Sequence, residues 1–140
     1  MGNNLSYQAL ILLPSDTDAS LQKAETELHA FFDKLKGDKL RGVHIQSETQ
    51  NSWVVLTING WKLFIRLSTA TGNQEESQEI ADRLGTQCPV ALRLKPYGAR
   101  FEITSDPDPN MDYFNDYVFV VEALSSFEGA VALDGFGKLI

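Results

Sequence analysis

The sequence predicts one α+β domain: an antiparallel sheet of two hairpins plus additional strands, packed by three helices. Three observations predict it. An apolar stripe at helical spacing starts at Leu21, the dipeptide Asn59-Gly60 separates two apolar runs of strand length, and a second pair of such runs flanks Lys95-Pro96-Tyr97-Gly98. The element order read this way is β-α-β-β-β-α-β-β-α, with a further C-terminal strand. At 140 residues the chain has the commonest length of a single domain. That domain is taken to span residues 1–140, with about 1–5 and 135–140 flexible.

Tyr7 to Leu13 is a short apolar run closed by Pro14, as a buried strand would be. Ser15-Asp16-Thr17-Asp18 then offers helix N-caps, and Leu21, Ala24, Leu28, Phe31, Phe32 and Leu35 form one apolar face of a helix ending at Gly37. Val43 and Ile45 alternate with His44 and Gln46 in a half-buried strand. Around Asn59-Gly60, a type I′ turn puts Ile58 opposite Trp61, Leu56 opposite Leu63 and Val54 opposite Ile65, so one side of the hairpin is wholly apolar. Asn73 and Glu76 stand at capping spacing for a helix through Ile80, Ala81 and Leu84 that stops at Gly85.

The second hairpin pairs Val90–Lys95 with Ala99–Thr104, and Leu94 opposite Ala99 puts Val90, Leu92, Phe101 and Ile103 on one face. Asp108-Pro109 is read as cap and first residue of a helix whose buried side carries Phe114, Tyr117, Val118, Val121 and Leu124. Ala130 to Leu133 is the last strand. No internal repeat or low-complexity stretch is present.

Composition narrows the function. Hydrophobic residues at 43% and charged residues at 22% fit a chain that folds unaided. A net charge of −7 repels backbone phosphates and argues against general nucleic-acid binding. Apolar runs such as Ala9–Leu13 fall far short of the roughly 20 residues that cross a bilayer. The single Cys88 cannot form an internal disulfide, and with no signal-peptide pattern at the start the expected location is cytoplasmic. Met1-Gly2 through Ser6 fits the loose myristoylation template without a following polybasic segment, and Asn4-Leu5-Ser6 is a sequon that matters only on secretion.

Chemistry-bearing motifs are sparse. Asp106, Asp108, Asn110 and Asp112 alternate like the first ligands of a calcium loop, but Met111 replaces the required Gly and Tyr117 the bidentate Glu. These four residues are a weak metal candidate, weighed against an acidic helix start. His29 and His44 stand far apart, with no ligand pattern beside either. Cys88 with a histidine could be a nucleophile, but a lone cysteine is far more often a small buried packing residue. No Gly-rich phosphate loop opens a helix. No cofactor is expected.

The surface is more informative. The two hairpin registers put Lys62, Arg66, Arg93, Lys95 and Arg100 on the face opposite the apolar one, together with Trp53, Val55 and Phe64. Helices collect the acids Glu75, Glu76, Glu79, Asp82, Asp112, Asp116 and Glu122, so charge is expected to segregate between sheet face and helix face. Arg93 would oppose Arg100, with Glu102 in partial compensation. Trp53, Val55, Lys62, Phe64, Arg66, Arg93 and Arg100 are therefore the candidate partner-binding residues. The bland reading is a face covered by the chain's own segments, with Trp53 stacked on Arg66.

From Asp18 to about Phe127, leaving out the first strand, the order helix, three strands, helix, two strands, helix resembles bacterial type III secretion chaperones and related sensory-regulator proteins. The helix Leu21–Leu35, the Asn59-Gly60 hairpin, the short helix ending at Leu84 and the helix Phe114–Leu124 carry the resemblance. It implies a homodimer that binds a polypeptide along sheet and helix surfaces without catalysis or cofactor. The expectation is a non-catalytic polypeptide-binding module, chaperone-like or an immunity or regulatory protein whose acidic helices block a basic partner. Two alternatives are a single-stranded nucleic-acid binder stacking bases on Trp53 and Phe64, and a small enzyme using Cys88, His44 or the Asp106–Asp112 loop.

Overall fold

The computed structural model describes residues 6–34, 43–48, 52–69, 71–84 and 97–134. In chain order these form β1 (Gln8–Pro14), α1 (Leu21–Lys34), β2 (His44–Glu48), β3 (Trp53–Ile58), β4 (Trp61–Ser68), α2 (Thr71–Leu84), β5 (Tyr97–Ser105), α3 (Phe114–Leu124) and β6 (Val131–Asp134). The fold is α+β, one antiparallel sheet of six strands with three helices.

The β3–β4 hairpin sets the register. Asn59 and Gly60 both take positive φ, 51° and 86°, as a type I′ turn requires and as Asn and Gly tolerate at low steric cost. Ile58 pairs with Trp61, Leu56 with Leu63 and Val54 with Ile65, and all six side chains are buried, as the alternation predicts. β2 adds to β3 with Ile45 opposite Leu56.

The first strand has a larger role than an addition at the margin. The order β2-β3-β4-β5-β1-β6 puts β1 inside the sheet, with Phe101 of β5 on one side of Ile11 and Ala132 of β6 on the other. Burial on both faces explains why this segment reads as a continuous apolar run rather than an alternating one.

The second hairpin is corrected. Both sides of β5 are occupied at Arg100, by Leu12 of β1 and by Ser68 of β4. No place across from Arg100 is left for Arg93. Val90–Lys95, including Arg93 and Lys95, lies outside the described residues.

Helices α1 and α3 cover one face, where Ala24, Leu28, Val120, Val121 and Leu124 close over Ile11, Leu56, Ile65 and Phe101. At one end of this layer the rings of Phe31 and Phe32 meet Phe119 at 5.9 and 6.2 Å. α2 lies on the opposite face, where Ile80 packs with Leu10, Leu12, Val131 and Leu133. The helices thus sandwich the sheet.

Two helix starts differ from expectation. Ser20, not the Ser15–Asp18 cluster, caps α1: its Oγ accepts from Lys23 N at 3.1 Å, while Thr17 N donates to Pro14 O to close a turn. α3 begins at Phe114 rather than at Asp108-Pro109. Phe114, predicted on the buried side, is 39% exposed, and Val118 is half-buried. Asp116, counted among the acids of the helix face, is buried at 2% exposure.

Candidate functional site

Alternation along each strand assigns the side chains of the second sheet face. β2 contributes His44, Gln46 and Glu48, β3 Trp53, Val55 and Thr57, β4 Lys62, Phe64 and Arg66, and β5 Arg100, Glu102 and Thr104. α2 packs against β5, β1 and β6 here, so the face divides. One half is roofed by a helix, and the other, over β2, β3 and β4, carries Trp53, Val55, Lys62, Phe64 and Arg66.

In that second half, one cross-strand row runs Glu48, Trp53, Arg66, Glu102. The Trp53 indole Nε1 donates to Glu48 Oε1 at 3.0 Å, and the Arg66 guanidinium stands 5.2 Å from the centroid of the same ring. Phe64 meets Trp53 at 4.7 Å with the rings tilted by 37°. Both aromatic rings are half-buried. Val55 beneath them is only 2% exposed and belongs to the support of the patch rather than to its accessible surface. Lys62 and Arg66 are exposed, and the cation–π contact holds Arg66 in place while leaving it charged.

Arg100 behaves differently from its expected role. It is 7% exposed; its Nε donates to Glu102 Oε2 at 3.0 Å and its Nη2 stands 2.8 Å from the same oxygen, while Nη1 donates to Glu76 of α2. Burial works to lower the guanidinium pKa, but the hydrogen bonds to Glu76 and Glu102 outweigh it and the group is held above its ordinary value. The cation is spent on the chain's own carboxylates. The expected charge segregation fails at this point, because an acidic helix lies on the basic sheet face.

The Asp106–Asp112 segment holds a carboxylate cap. Asp108, 2% exposed, accepts from Tyr7 Oη at 2.7 Å, from Asp112 N at 3.0 Å and from Tyr113 N at 2.8 Å. Asp106 Oδ2 accepts from Lys62 N at 3.1 Å, and Asp106 O accepts from Trp61 Nε1 at 3.0 Å. Met111, at the position a calcium loop gives to Gly, takes a positive φ of 58°. The oxygens are thus turned to separate backbone and phenol donors. Among the described residues no group of three or more His, Cys, Asp or Glu is arranged to hold a metal ion.

Among the described residues, the remaining candidates do not assemble into catalytic machinery. Cys88 lies outside the described residues. His44 Nε2 stands 3.1 Å from Gln46 Oε1 on the surface. Glu25 links Ser47 and His29: the Ser47 hydroxyl donates to one carboxylate oxygen, and His29 Nε2 stands 3.5 Å from the other. Nothing in the sequence pattern flagged this trio. A nucleophilic triad needs the imidazole between hydroxyl and carboxylate, and here the carboxylate sits between, so His29 cannot take the serine proton. A cleft at the end of β1 and β5 is bordered by Gln8, Leu10, Glu102, Thr104 and Asp134. No helix among the described residues is long and apolar enough to cross a membrane.

A scan against protein-family models, a search of curated proteins and a search of solved structures each return no match for this chain.

Proposed function

We propose that the protein is a non-catalytic polypeptide-binding module that receives a partner segment on the β2-β3-β4 half of its second sheet face. The observation that carries this is the division of that face: α2 roofs the half containing Arg100, whereas the other half presents Trp53, Phe64, Lys62 and Arg66 at the margin of the sheet, next to β2. Among the described residues β2 pairs only with β3, so its outer backbone groups are suited to accept an added strand, with the aromatic pair taking alternate side chains of that strand. Lys62 and Arg66 favour a segment with acidic residues.

The resemblance to type III secretion chaperones supports the same reading and adds a homodimer; the lone Cys88 favours a cytoplasmic setting. Nucleic acid is disfavoured because Glu48 and Glu102 share the face with the two exposed cations.

The test compares the native protein with Trp53→Ala/Phe64→Ala, checked to be folded, in pull-downs from host lysate. A photo-crosslinking residue is placed at Gln46 in one preparation and at Glu122 in another. A defined polypeptide crosslinked from Gln46 and lost by the double variant is the expected outcome. Equal retention by both proteins, or crosslinking from Glu122 alone, moves binding to the helices, and preferential capture of a single-stranded oligonucleotide replaces the reading. Light scattering after size exclusion checks the dimer.

A further inference from the structure

We infer that the strand added at the β2 edge is β2 of a second copy of this chain, paired antiparallel about a two-fold axis at Gln46. This rests on the proposed reading in taking that edge as the place of strand addition, and it names the occupant.

The neighbouring hairpin decides which backbone groups of β2 are available. Ile58 and Trp61 close a two-residue turn, so they form a hydrogen-bonded pair, and such pairs recur at every second residue along an antiparallel ladder. In β3, Ile58, Leu56 and Val54 therefore direct their backbone groups to β4, while Thr57, Val55 and Trp53 direct theirs to β2. The hydrogen bond from Asp106 N to Lys62 O agrees, since Lys62 of β4 must then turn to β5. The residues of β2 that answer β3 are His44, Gln46 and Glu48. Ile45 and Ser47 are left with N–H and C=O groups aimed away from β3.

These groups match the same strand turned around. With Gln46 opposite Gln46, Ile45 of each copy stands across from Ser47 of the other, and each such pair exchanges both of its backbone hydrogen bonds. This register overlaps the whole of His44–Glu48, and a slip either way shortens the overlap. It also sets His44 against Glu48 of the second copy at both ends, a ring N–H donor against a carboxylate. On the other face Ser47, which donates to Glu25, brings α1 of each copy beside the seam. Edges that must stay single are blunted by Lys, Pro or a bulge, whereas β2 runs His-Ile-Gln-Ser-Glu in unbroken register with β3. The pairing is isologous and closes on itself, so it makes a dimer and no filament. Trp53 and Phe64 of both copies then come to one side of the joined sheet, where they flank the seam and the partner segment lies against them.

Three variants of the full chain test this. In a Cys88→Ser background, Gln46→Cys puts two thiols of a non-hydrogen-bonded pair within disulfide reach at the axis, whereas Thr57→Cys, on the same face but one strand in, stands about 14 Å or more from its copy and cannot be bridged. Ser47→Pro removes an N–H that the second copy needs and none that β3 uses. The expected results are a native protein at twice the chain mass in light scattering, a covalent dimer from Gln46→Cys and not from Thr57→Cys under mild oxidation, and a dimer dissociation constant raised about tenfold or more by Ser47→Pro with the circular dichroism unchanged. The cysteine pair decides by itself should Ser47→Pro fail to fold. A native protein at the single-chain mass, a dimer that Gln46→Cys does not link, or equal linking at Thr57 overturns the inference and leaves capture of a partner by Trp53 and Phe64 standing. Linking at Gln46 with equal retention by the native protein and Trp53→Ala/Phe64→Ala keeps the dimer and overturns the reading of the face instead.

Discussion

At the scale of single residues, the two most consequential polar groups are the ones burial forced into fixed partnerships. Asp108 accepts three hydrogen bonds at 2% exposure, so removing its oxygens leaves a buried phenol and two part-buried backbone N–H groups without this acceptor. Asp108→Ala is expected to cost about 2–4 kcal/mol, read from chemical denaturation, and Asp108→Asn less because one acceptor oxygen survives. Tyr7, on the other side of this bond, stacks on Tyr117 at 4.8 Å. Burial first, then the hydrogen bond and charge of Asp108, raises the Tyr7 phenol above its usual 10.0, and burial with the charge of Asp134 raises Tyr117 in the same direction. Because the folded values exceed the unfolded ones, the associated stability is complete below about pH 10 and is lost as pH climbs from there toward the raised folded values. Alkaline titration followed by tyrosinate absorbance and circular dichroism should show a late ionisation step coincident with unfolding. Tyr7→Phe should shrink that step.

At the scale of elements, glycines separate local from tertiary demands. Gly60 has a φ of +86° with open space around its missing Cβ, whereas Gly129 has a φ of +77° and a Cβ there would meet Pro14 Cγ at 2.6 Å. Gly60→Ala is thus expected to cost about 1–2 kcal/mol from the left-handed backbone alone. Gly129→Ala should cost more, because the turn before β6 must also move off β1, and thermal denaturation of the two variants side by side gives the order.

The same distinction explains what the sequence made legible. The β3–β4 register, the face of α1 and the existence of β1 were readable because turn chemistry and periodicity are encoded within a few residues. Strand neighbours were not: nothing near residue 100 announces that β1 and β4 take both sides of β5, and the second hairpin was read from a local turn signal. The partner-binding candidates divide on the same line. Trp53, Phe64, Lys62 and Arg66 fall on the predicted face because strand alternation is local, whereas burial of Arg100 follows from the placement of α2, which no local pattern contains. Asp108 was read as a helix cap and does cap backbone N–H groups, but of a turn that precedes α3.

At the scale of the whole molecule, the buried apolar residues among those described fall into two clusters, one on each sheet face. The α1 and α3 side holds one continuous core, from Ile45 of β2 to Ala9 of β1, while the α2 side holds, among the described residues, a second cluster around Leu12 and Leu133. Ile11→Ala, in the first cluster, removes a fully buried side chain and is expected to lower global stability by about 2–5 kcal/mol. Leu12→Ala, equally buried on the α2 side, is expected to cost a comparable amount, and the denaturation midpoints of the two variants side by side check it.

The interior position of β1 has a consequence for biosynthesis. Of the six described strands it is the first to leave the ribosome, yet its two neighbours, β5 and β6, are the fifth and sixth. Until residues 97–105 emerge, the Ala9–Leu13 segment, apolar on both faces, has no edge to join. A nascent chain in this condition is a natural client for chaperones that hold short apolar stretches, and the sheet can close only once β6 has followed β5 out of the ribosome.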